Sequence, residues 1–192
     1  MAAAPREYLS PEEYLRLERR AETKHEYIDG VILAMVGGTP THSQISSNTI
    51  IALGTQLRGR PCIVYNSDLK VRIAKLQAYV YPDVTVVCGT PQFGESERDV
   101  LLNPLLIVEV LSPSTEHYDR TGKFLRYQRI PNFAEYLLIA QDRPLVELCS
   151  RQADGMWGWG AVEGLEATIA IPSLDCTLAL ADIYNNVQFA GE

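Results

Sequence analysis

The stretch Leu105–Lys123, LLIVEVLSPSTEHYDRTGK, is the one on which the reading of the whole chain turns. Its first seven residues are an apolar strand with a single carboxylate, Glu109, set inside it. A carboxylate buried in such a run is costly unless it is paired, protonated or bound to a cation. After the short link SPST, STEHYDRTGKFLRYQRI carries a helical pattern, capped by Ser112 or Ser114 and ended by Pro131. A helix that leaves a strand so abruptly folds back along the sheet. It aims Lys123 at the strand's carboxyl end and sets Asp119, Lys123 and Tyr127 on one face at i, i+4 and i+8.

Upstream, CIVYNSDLKVRI and AYVYPDVTVVC read as two more strands, the second holding Asp83 just before an apolar run; the polar loop GTPQFGESERDV leads on to Leu101. Before them, SPEEYLRLERRAET opens a helix: Ser10 is the N-cap, Pro11 the first helical residue, Glu13 completes a capping box, and Leu9 with Tyr14 forms a staple. In KHEYIDGVILAMVGG two strands meet at Asp29-Gly30, a hairpin signal, and THSQISSNTIIALGTQLRG is a helix ending near Gly59. Downstream, EYLLIA and LVELCS are strands, MWGWGAV and EATIAI form a closing hairpin, and LALADIYNN is a short last helix. The pattern predicts an α/β fold, a mixed sheet flanked by helices, in a single domain over 1–192.

The 192 residues are 46% hydrophobic and 21% charged, enough for a full-sized core. Against 17 Lys and Arg stand 24 Asp and Glu, a net charge of −7. That balance argues against holding nucleic acid mainly by bulk positive charge, but not against a metal-dependent enzyme, where a divalent cation offsets local carboxylates. MAAAPREYLS has no apolar core of signal-peptide length, and no run of about 18 apolar residues follows, so a cytoplasmic protein without membrane contact is expected. Cys62, Cys88, Cys149 and Cys176 are far apart and form no CxxC pair; they read as four reduced structural thiols.

Asp83 and Glu109, on two strands, with Lys123 on the helix, suit a Mg²⁺ site, because that ion takes one or two carboxylates and keeps several waters. The competing reading makes both acids structural partners of Lys70, Arg72 or Lys123. Residue types alone leave both open.

YPDV, then IVEVLSPST, then DRTGK with Tyr127, then PNFAEYLLI resemble the PD-(D/E)XK phosphodiesterase superfamily and, within it, the Uma-two family of restriction endonucleases. HEYIDGVILAM and THSQIS, with His42, extend the resemblance from about Tyr8 to Tyr184. It implies a restriction endonuclease-like core, a mixed central β-sheet with α-helices on both sides. It also implies Mg²⁺-dependent hydrolysis of phosphodiester bonds in DNA, with Mn²⁺ able to substitute. Asp83 would be the metal-binding aspartate of the Pro-Asp motif, Glu109 the first residue of (D/E)XK, and Glu26 a further acidic ligand. The usual lysine position is Leu111 here, so Lys123, from the following helix, would take that part and orient the attacking water. A tryptophan common after Glu-Tyr is Leu137, a change that bears on packing. Cutting both strands of a duplex takes two sites, which favours a homodimer. The rival is a catalytically silent nucleic-acid-binding or scaffold protein that keeps the fold; RNA or nucleotides are a third substrate class.

The remaining polar residues carry weaker expectations. Glu26 either joins the site or pairs with Lys24 or Arg72; His42 lines the site or bonds backbone; His25 and His117 are solvated. Asp68, Lys70 and Arg72 alternate on one strand face, beside the site or in solvent, and Asp119 is assigned to an i,i+4 pair with Lys123 rather than to metal. No histidine pair has metal-ligand spacing, and Ser112 and Ser114 lack a nucleophile elbow. Trp157 and Trp159 share a strand face suited to a sheet-edge or dimer contact, or to stacking on bases.

Overall fold

The structure is a computed structural model, and it describes residues 8–35, 37–94 and 98–189. Helix α1 (Pro11–Glu18) begins with the expected reciprocal cap: Ser10 Oγ accepts the Glu13 N–H while the Glu13 carboxylate accepts the Ser10 N–H. Leu9 packs against the cluster around Tyr14, completing the staple. Strands β1 (His25–Ile28) and β2 (Val31–Ala34) form the predicted hairpin, with Asp29 and Gly30 both at positive φ, 51° and 85°. Helix α2 (Pro40–Gln56) is capped by Thr39, whose Oγ1 accepts the His42 N–H.

CIVYNSDLKVRI and AYVYPDVTVVC, each expected as one strand, are each two. The first divides into β3 (Cys62–Asn66) and β4 (Lys70–Ile73), the second into β5 (Ala78–Val80) and β6 (Val84–Cys88). Asn66 Oδ1 accepts the Asp68 N–H at 3.1 Å and turns the chain after β3. Pro82, with no N–H to give, breaks the ladder between β5 and β6. The halves therefore enter different sheets. The loop that follows holds the short β7 (Val100–Leu101).

Strand β8 (Leu106–Leu111) is buried at every position and leads into a helical segment of three parts: α3 (Glu116–Tyr118), a π-wound turn (Asp119–Lys123) and α4 (Phe124–Tyr127). Its cap differs from expectation. The N-cap is Thr115, whose side chain caps no backbone N–H; its hydroxyl and that of Ser114 both bond the Ser112 hydroxyl instead. Strands β9 (Glu135–Ala140), β10 (Leu145–Arg151) and β11 (Trp157–Glu163) follow as a meander. The expected closing hairpin is not formed: β11 pairs with β10, while β12 (Thr168–Ile171) pairs with β13 (Cys176–Ala179), before helix α5 (Leu180–Ile183). Thr168–Ile171 alternates exposed and buried, and Ile169 and Ile171 join the core beneath the main sheet.

The large sheet has the order β11-β10-β9-β8-β6-β3 and is mixed, since only β8 and β9 run parallel; the smaller has the order β2-β1-β5-β4-β7. Alternation along β8 sorts its side chains. Leu106, Val108 and Val110 meet α2 and α5 residues such as Ile45, Leu53 and Ile183. Ile107 and Leu111 meet Val71, Ile73 and Val80 of the smaller sheet and Tyr127 of α4. The mixed sheet flanked by helices on both sides is thus borne out, with the second sheet sharing one flank. Leu137, in β9, is fully buried with the first group, a packing position as expected.

Cys62 and Cys88 face each other across β3 and β6, Cα–Cα 4.0 Å apart, and are joined as a disulfide. This corrects the expectation of four reduced thiols; Cys149 and Cys176 remain free and buried. Asn48 locks the two helices together, its Nδ2 donating to the Ile183 and Asn185 carbonyls at 2.9 Å each. Asn48→Ala strands both carbonyls and is expected to cost about 1–3 kcal/mol in urea denaturation. A loss below about 0.5 kcal/mol would mean that water replaces the amide.

Candidate active site

Glu109 lies on the face of β8 that meets the smaller sheet and the helical segment, and it is 4% exposed. Asp83 sits at the Pro82 break. Extending the β6–β8 register would place Val110 opposite Pro82, and the Asp83 carboxylate takes over there, accepting the Val110 N–H at 2.7 Å. The break that divides the two sheets thus directs Asp83 at the end of β8. Glu26 reaches the same place from β1, accepting the Tyr81 N–H at 3.3 Å. His42, in the first turn of α2, places Nε2 3.1 Å from Asp83 Oδ2.

The helical segment closes the site. Lys123 Nζ stands 3.0 Å from Glu109 Oε1, 3.3 Å from Glu26 Oε1 and 3.5 Å from Asp119 Oδ1. Tyr127, fully buried, donates its hydroxyl to Glu109 Oε1 at 2.8 Å. The π turn presents Asp119 and Lys123 together, a winding frequent at functional sites. Gly122 permits it, because a Cβ there would lie 2.6 Å from the Tyr118 ring. Arg126 ties the segment to the first hairpin through Asp29 at 2.7 Å.

Burial pushes the Glu109 carboxyl well above its ordinary range; Lys123 opposes the shift, and Asp119, Asp83 and Glu26 add to it. Burial would lower the Lys123 ammonium, but Glu109, Glu26 and Asp119 together hold it well above an ordinary lysine. The hydrogen bond to Asp83 raises the His42 imidazole despite partial burial. The oxygen-only donors and their surplus of acid over the single lysine fit a hard divalent cation such as Mg²⁺. Among the described residues no three His, Cys, Asp or Glu side chains are already arranged as a metal shell, for Glu26, Glu109 and Asp119 converge on the lysine instead.

A family described as "Uma2: Putative restriction endonuclease" matches residues 11–181. The chain belongs to the Uma2 family. Two relatives from Synechocystis sp., the uncharacterized proteins slr1290 and sll1609, are 41% and 35% identical to it over 190 and 157 residues. The first match covers 97% of each chain, the second 82% of this chain and 89% of the relative. The crystal structure of a putative nuclease belonging to DUF820 from Anabaena variabilis superposes with a TM-score of 0.76 at 20% identity, covering 94% of this chain and 99% of that one. The Uma2 resemblance drawn from the ordered motifs is borne out, and so is the nuclease-like fold.

In this Uma2 chain, Lys123 contacts both Glu26 and Glu109, while Asp83 is held by the Val110 N–H, next to Glu109, and by His42. Of the alternatives left open, Lys123 is the partner Glu109 takes; Lys70 pairs with Asp99 at 2.7 Å, and the Arg72 guanidinium lies over the Tyr79 ring, 5.8 Å from its centroid. Asp68 is taken by Lys24. His25, expected in solvent, is half-buried and bonds Glu18 at 3.0 Å; His117 is exposed as expected. Trp157 packs on Phe124 and Phe133, whereas Trp159 is 66% exposed on the β11 edge. Two contributors escape sequence reasoning, the backbone N–H groups of Val110 and Tyr81, because main-chain donors leave no mark in residue identity.

Proposed function

We propose that this protein is a Mg²⁺-dependent endonuclease hydrolysing phosphodiester bonds in DNA. The observation that carries the reading is the convergence of Glu26 and Glu109 on Lys123, with Asp83 bound to the N–H of Val110, the residue after Glu109, in a nuclease-like fold. Asp83, Glu109 and Glu26 would hold the cation, with Mn²⁺ able to replace it. When bound, the ion polarises the phosphodiester and lowers the pKa of an attached water. The chain's own residues do the rest. Lys123 orients the attacking water and balances charge as it builds on the phosphate. Tyr127 holds the Glu109 carboxylate in place through Oε1, and the Val110 N–H does the same for Asp83. His42, on Asp83 Oδ2, lines the site.

On this basis 1–192 acts as one nuclease domain in the cytoplasm. Among the described residues no helix is long and apolar enough to cross a membrane. A homodimer suits cleavage of both strands, and Trp159 on the β11 edge is its candidate contact.

The test is a calorimetric titration of the full chain with Mn²⁺. Wild type should bind, and Asp83→Ala should lose binding by about 100-fold or more while remaining folded. Absence of binding in wild type at several millimolar, alone and with a DNA duplex present, would instead favour a catalytically silent scaffold. In that case Lys123 serves as the permanent counter-ion of Glu109.

A further inference from the structure

Four carboxylates stand around this site, and three have hydrogen-bond donors: Tyr81 N–H for Glu26, Val110 N–H for Asp83 and Tyr127 O–H for Glu109. Asp119 differs. It is 2% exposed, and its Oδ1 accepts no hydrogen bond among the described residues. Its nearest cation, Lys123 Nζ, lies 3.5 Å away, and that ammonium approaches Glu109 more closely, at 3.0 Å. A buried carboxylate oxygen without a donor is among the costliest features a fold can retain, and it calls for a ligand to explain it. The backbone cannot swing Asp119 away. Its N–H is bound to the Thr115 carbonyl at 2.9 Å, and its own carbonyl accepts the Tyr136 hydroxyl at 3.1 Å.

We propose that Asp119 is a cation-binding residue of the site, its Oδ1 taking a divalent metal alongside Asp83 and Glu109, and not merely the i,i+4 partner of Lys123. The inference rests on the metal-dependent reading above. It gives the π turn a purpose, since that winding presents Asp119 and Lys123 at one point: the acid meets the ion, and the lysine is freed toward water and phosphate.

The experiment is Mn²⁺ binding by the full chain, followed by calorimetry and by the Mn²⁺ spin-resonance signal, for wild type, Asp119→Asn, Lys123→Met and the double variant. Asp119→Asn should weaken Mn²⁺ binding at least about tenfold both in wild type and in the Lys123→Met background. Weakening confined to the background that retains the lysine would overturn the proposal, because Asp119 would then act only through Lys123. Unchanged binding in Asp119→Asn would overturn it as well. Should wild type itself bind no Mn²⁺, the metal reading fails first; binding that Asp83→Ala removes and Asp119→Asn spares sinks this inference alone. A second readout is independent of metal. Asp119→Asn should raise the melting temperature of the metal-free protein, since one of three buried carboxylates crowded on a single ammonium loses its charge; a structural partner of Lys123 would lower it.

Discussion

Lys123→Ala is expected to lower kcat for DNA hydrolysis by about 10³-fold or more, the range for a group that positions the nucleophile and stabilises developing charge. Mn²⁺ binding should survive, because Lys123 offers a cation no oxygen. The same substitution removes the ammonium that Glu26, Glu109 and Asp119 share in a site almost closed to water. Breaking a buried ion pair from one side costs about 3–5 kcal/mol. That cost depends on pH in a definite direction. Burial already pushes Glu109 up and Lys123 alone draws it down, so loss of the lysine raises the folded-state carboxyl further. A carboxyl raised above its unfolded value favours the folded state at low pH, and this stability is lost as pH climbs through the folded pKa. The deficit of Lys123→Ala should therefore be smallest in acid, where the carboxyl is protonated folded or unfolded, and grow as pH rises through the folded-state pKa, as read by urea denaturation. Cleavage within about tenfold of wild type would remove Lys123 from the chemistry. A deficit independent of pH would mean that Glu109 does not depend on it.

Reduction of the Cys62–Cys88 bond, or Cys62→Ser with Cys88→Ser, is expected to lower unfolding free energy by about 3–4 kcal/mol, the loop-closure value for a separation near that of this pair. The two residues are 26 positions apart. Their bond fastens β3, the outermost strand of the large sheet, to β6. At the other end of the same ladder Asn66 faces Val84, the residue after Asp83. Asp83 itself is held by Val110 and His42, from β8 and α2. Mn²⁺ affinity should accordingly be unchanged by reduction even as the unfolding midpoint falls. An equal midpoint with and without reductant would show that the ladder alone holds β3. A fall in Mn²⁺ affinity would show that the edge strand supports the site.

Much of this architecture is legible locally. The capping box at Ser10 and Glu13, the Asp29-Gly30 turn and the apolar strand carrying Glu109 are each encoded within a few adjacent residues. Their ordered succession is enough to place the chain in its family. What eluded the sequence is of another kind. Whether AYVYPDVTVVC is one strand or two depends on which sheet each half can reach, and the pairing of Thr168–Ile171 with Cys176–Ala179 depends on where its apolar face finds a core. Cys62 meets Cys88 because β3 and β6 pair in one register, which neither cysteine specifies. Likewise Asp119 looks on paper like the companion of Lys123, a helical neighbour four positions away. Only the packed structure shows that lysine bound more closely to Glu109, and Asp119 Oδ1 buried without a hydrogen-bond donor among the described residues. Helix caps and tight turns are settled by neighbours along the chain, so the sequence alone determines them. The partners of a buried charge are settled by which strands and helices close over it, and that only the tertiary structure decides.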